Sequence, residues 1–74
     1  MSKQQFIALA AFYAENFAQV DCKAVLSVLL TMADRMSAQH MINMLHIATM
    51  HASHETRNDC MLTFLQLFDA YIVS

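Results

Sequence analysis

Four histidines crowd into one stretch of the chain: His40, His46, His51 and His54. Imidazole binds Zn²⁺, Ni²⁺ or Cu²⁺. His51 and His54 stand three residues apart, so a helix through both would present them on one face, with Glu55 beside them. A third ligand would have to come from elsewhere. His40 lies about three helical turns away, and the thiol of Cys60 falls on an apolar stripe. The plainer reading is a solvated helix end with titrating imidazoles. Protonating all four histidines would move the net charge from −2 to about +2, which any His-rich small protein permits.

Two cysteines allow other chemistry. Cys22 and Cys60 each fall near an expected helix start, where the helix dipole lowers a thiol pKa. In an up-down-up-down bundle both would sit at the same end, within conceivable reach of a disulfide. Two small buried apolar side chains are the simpler expectation. A Cys–His–acid set can be written from Cys60, His54 and Asp59, but nothing orders these residues into a cleft and no oxyanion donor is identifiable. The expectation is a non-enzymatic protein with no catalytic residues, no cofactor and no metal.

The elements that would carry these residues are read from caps, because the sequence contains 0 glycines and 0 prolines. Ser2 with Gln5 three positions later fits a capping box. Asp21, Ser37 and either Ser53 or Thr56 are the other candidate N-caps. They predict helices over about 3–19, 22–36, 38–52 and 55–72. If Ser37 is no break, 22–52 is one helix and four helices become three. Either way the fold class is all-α: one domain over residues 1–74, a small helical bundle of three to four short helices.

At about 100° per residue, the first helix gathers Phe6, Leu9, Ala10, Tyr13, Phe17 and Val20 on one side, next to a stripe of Ile7, Ala11, Ala14 and Ala18. The second has a wide apolar arc of Cys22, Val25, Leu26, Leu29, Leu30, Met32, Ala33 and Met36. The third turns Met41, Ile42, Met44, Leu45, Ala48 and Ala52 inward, and the fourth Cys60, Met61, Phe64, Leu65, Leu67, Phe68, Tyr71 and Ile72. Opposite these stripes stand Phe12, Ile47, Met50 and Leu62, large apolar residues on otherwise polar faces. They are the candidate protein-interaction residues.

Composition narrows the function. Charged residues are 14% of the chain and hydrophobic ones 58%, the reverse of a disordered segment. Without glycine there is no phosphate-cradling loop or dinucleotide fingerprint. Four fixed positive charges, Lys3, Lys23, Arg35 and Arg57, form no cluster, so nucleic acid is disfavoured as a partner. A dimeric helix-turn-helix regulator is the alternative function, with Gln39, His40 and Asn43 as base readers; a His-based metal-binding protein is the second. The apolar run from Phe6 to Ala14 has the length of a signal-peptide core, but it continues as an amphipathic pattern and lacks a strong basic start. No run reaches the ~20 apolar residues of a membrane span, and a cytoplasmic location is expected.

A chain this short offsets the entropy of folding only narrowly with its own core. Spare apolar surface then implies association with another protein, including a second copy in a homodimer. The expected role is a small regulator acting by steric occlusion: an inhibitor, an antirepressor or anti-activator, or a chaperone-like module. Phage and plasmid accessory proteins have this character.

Overall fold

The computed structural model describes residues 1–17, 19–35 and 37–73. Among the described residues four helices follow one another: α1 (Lys3–Ala14), α2 (Cys22–Arg35), α3 (Ala38–Ala48) and α4 (His54–Val73). Among the described residues there is no strand. The chain exposes 4579 Å², close to the ~4,600 Å² typical of a folded monomer of its mass.

Local hydrogen bonds set each start. Ser2 Oγ accepts from the Gln5 amide at 3.1 Å while Gln5 Oε1 accepts from the Ser2 amide at 2.9 Å, a complete capping box. Asp21 Oδ1 takes the Lys23 and Ala24 amides at 3.1 and 3.2 Å. Ser37 is extended (φ −114°, ψ 104°) and its hydroxyl accepts from the His40 amide, so the break between α2 and α3 is real and the count is four. Ser53, rather than Thr56, caps α4: its Oγ accepts from the Thr56 amide at 3.2 Å and donates to Thr56 Oγ1 at 3.0 Å. Removing such an oxygen costs about 1 kcal/mol. Ser37→Ala is therefore expected to lower the melting temperature by about 4–8 °C, as read by circular dichroism, without changing the number of helices.

The ends differ more from expectation. α1 stops at Ala14, short of residue 19. Asn16 Nδ2 turns back to the Phe12 carbonyl at 3.4 Å, and Gln19 adopts φ 68°, which no right-handed helix admits. With no glycine available, Gln19 supplies the left-handed residue, and its Oε1 accepts from the Ser53 amide at 3.4 Å. The α1–α2 and α3–α4 connections are thereby tied together. α3 likewise ends at Ala48, because residues 49–52 turn toward α4.

Packing runs α1 to α2, α2 to α3, α3 to α4, and α4 back to α1. The helices form a ring in which α1 faces α3, and α2 faces α4, only across the diagonal. Lys3 at the start of α1 reaches Asp34 near the end of α2 at 2.6 Å, as antiparallel neighbours require. Tyr71 near the end of α4 stacks on Phe6 with centroids 4.6 Å apart, and its hydroxyl donates to the Ala33 carbonyl at 3.1 Å. The core is Phe6, Ala10 and Ala14 of α1; Val25, Val28, Leu29, Met32 and Ala33 of α2; Met41 and Leu45 of α3; and Cys60, Phe64, Leu67 and Phe68 of α4.

Leu9, Leu30, Met44 and Ile72, expected inside, are exposed. The backbone of each helix packs closely against only two neighbours, and its apolar arc is wider than the sector they cover. Val28 and Thr49 are buried without having been expected there. Thr49 is tolerated because its hydroxyl donates to the Leu45 carbonyl at 2.7 Å. Ala18 and Met36, assigned to the small stripe and the α2 arc, lie outside the described residues.

Candidate functional site

The polar constellations do not assemble. His51 lies in the turn after α3 and His54 opens α4, so the two share no helix face. Both are exposed, and among the described residues no three His, Cys, Asp or Glu side chains converge as a ligand set. Cys60 stands two turns inside α4 rather than in its first turn, and it is buried. Loss of hydration pushes its thiol up to about 11, the opposite of an activated nucleophile. His54 and Asp59 remain in solvent while Cys60 faces the core. Both cysteines are free thiols, and their helices face each other only across the diagonal.

Gln39, His40 and Asn43 are exposed on α3. Gln39 Nε2 donates to Asn43 Oδ1 at 3.1 Å, and α3 has no lysine or arginine to hold phosphate beside them. Lys3 is held by Asp34, whose carboxylate raises the ammonium pKa first by hydrogen bonding and then by charge. That pair is solvated and contributes little to stability.

Apolar surface is what accumulates. Phe12, Ile47, Met50 and Leu62 are 64%, 62%, 60% and 57% exposed. They are spread over three helices and a turn. Phe12 is on α1 and Ile47 on α3, diagonal members of the ring. Met50 follows α3 in the turn, where Arg57 Nη2 donates to its carbonyl at 3.3 Å. Leu62 lies on α4.

Around Phe12 the surface is continuous and wider than the sequence suggested. One concavity is lined by Met1, Gln5, Ala8, Leu9 and Phe12. A second, lined by Lys3, Gln4, Ile7, Ala8 and Leu30, meets it at Ala8. Leu9 and Leu30 escaped sequence reasoning because they were assigned to the core; the signal was α1 itself, which is apolar nearly all round. A third groove of about 520 Å³ separates the end of α1 from α4, with Phe17 and Leu67 joined by Tyr13, Asn16, Thr63 and Gln66 along its walls.

No family model, curated protein or solved structure matches this chain. Among the described residues no helix is long and apolar enough to cross a membrane.

Proposed function

We propose that the protein is a small non-enzymatic regulator of the cytoplasm that binds another protein and occludes it sterically through apolar helical surface. An inhibitor, an antirepressor or anti-activator, or a chaperone-like module would each work in this way. The observation that carries the reading is α1. Its inner side buries Phe6, Ala10 and Ala14, while its outer side leaves Leu9 and Phe12 in solvent. A helix apolar on both sides belongs between two partners, and within this chain only one side is covered. Ile47, Met50 and Leu62 extend the same character to α3, its following turn and α4. Flexible methionines and branched aliphatics suit a surface that fills a groove on a target.

Affinity capture from the native host tests this, comparing wild type with Phe12→Asp, Ile47→Asp and Leu62→Asp. All three positions are exposed, so helicity should not change. Loss of a central apolar anchor costs about 2 kcal/mol, near thirtyfold in affinity. Recovery of a specific protein should fall accordingly in at least one variant. Identical recovery from all four proteins would sink the proposal, as would a salt-steep shift of duplex DNA by the wild type.

A further inference from the structure

The sequence contains 7 methionines in 74 residues, and two of them share a cavity with a histidine. Between α2 and α3 lies a hollow of about 130 Å³, lined by Ser27, Val28, Thr31 and Met32 of α2 and by His40 and Met44 of α3. We propose that Met32, Met44 and His40 form a binding site for Cu(I), held by two thioether sulfurs and one imidazole nitrogen. The inference is separate from the protein-binding reading above and stands or falls without it.

The fold brings the three side chains together. His40 and Met44 are four positions apart on α3 and so share one helix face. Met32 comes from α2, which packs directly against α3. The His40 amide donates to Ser37 Oγ at 3.3 Å, which fixes its backbone at the start of α3, while among the described residues no hydrogen bond holds its ring. Met32 is fully buried, whereas Met44 and His40 are exposed. The donors therefore run from the core to the surface, and an ion has a path in. A buried thioether needs no hydrogen-bond partner, and the three rotatable bonds of Met32 let its sulfur turn into the hollow. A hollow of that volume is roughly 5 Å across, and an ion bound at the about 2.0–2.3 Å usual for nitrogen and sulfur ligands holds its donors about 4 Å apart.

The donor set selects the ion. All three groups are neutral, and no carboxylate or thiolate lines the hollow among the described residues. Zn²⁺ favours thiolate, imidazole and carboxylate, and Ca²⁺ and Mg²⁺ require oxygen. Thioether sulfur is a soft ligand that selects Cu(I). A single positive charge is also less costly than a double one where no anion compensates it.

The test follows methionine methyl resonances of the Cys22→Ser protein, which lacks the more accessible thiol, as Ag⁺ is added as a redox-inert substitute for Cu⁺. One equivalent should shift Met32 and Met44 and leave exposed Met50 in place. Anaerobic competition for Cu⁺ against bicinchoninate should show affinity falling about 10–100-fold or more in each of His40→Gln, Met32→Leu and Met44→Leu. Met41→Leu, in the core but outside the hollow, should bind as wild type does. Leucine conserves the volume of methionine. Should Met32→Leu nevertheless unfold, the two substitutions at exposed positions decide the matter. Unmoved Met32 and Met44 resonances overturn the site, as does a shift of Met44 without Met32. Affinity unchanged in His40→Gln and Met44→Leu overturns it too. Zn²⁺ shifting the same resonances at equal concentration would defeat the assignment to Cu(I).

Discussion

Phe6→Ala should unfold much of the population at room temperature or lower its melting point by about 15–30 °C. Phe6 is fully buried where α1 meets α4, edge-on to Phe68 at 6.2 Å and stacked on Tyr71 at 4.6 Å. Truncating such a ring leaves a cavity and costs about 3–5 kcal/mol. A domain of this length holds only about 4–11 kcal/mol in total. The same substitution at Phe12, six positions along the same helix, should change stability by less than about 0.5 kcal/mol, because that ring is already 64% exposed. Chemical denaturation of both variants checks the pair. Equal losses would mean that Phe12 is covered within the folded chain.

The second large effect concerns alkaline pH. Cys60 is buried, and desolvation raises its thiol from 9.0 to about 11. The folded state therefore holds this proton at pH values where the unfolded state has released it. Stability from this group is complete below pH 9.0 and is lost as pH climbs through about 11. Two pKa units correspond to at most about 3 kcal/mol, and less to the extent that water reaches the thiol. The unfolding free energy of wild type should fall by up to that amount across the interval, beyond whatever other groups contribute. In Cys60→Ala the additional slope should vanish. At pH 8 a thiol reagent should modify Cys22 readily and Cys60 only at the rate of unfolding. Parallel pH profiles for the two proteins would show that Cys60 is not the source.

The starts of the helices were legible because capping is local. Ser2, Asp21, Ser37 and Ser53 each bond to amides two or three residues ahead, and such spacing is visible in a string of letters. The ends were less so. A chain without glycine hides its left-handed positions, and nothing marks Gln19 as one. Core membership was legible for Phe6, Leu29, Leu45 and Phe64, at the centres of their stripes. Leu9, Leu30, Met44 and Ile72 sit near the margins of theirs. Periodicity shows which way a side chain points around its own axis, not whether another helix stands there. For the same reason the exposure of Phe12, Ile47, Met50 and Leu62 could be read from their positions opposite a stripe. Their division between diagonal helices could not, because it belongs to the topology of the ring. The burial of Cys60 was expected, but its proton affinity depends on how completely the packed core excludes water.

The ring of four has a temporal consequence. Three of its four seams join consecutive helices, so most contacts span short stretches of chain, and folding of such topologies falls in microseconds to milliseconds. The remaining seam joins the first helix to the last. During synthesis, at about 5–20 residues per second, α1 emerges with apolar residues on every side and waits several seconds for α4 to arrive. Through that interval the nascent chain presents its stickiest segment while its natural cover is still inside the ribosome.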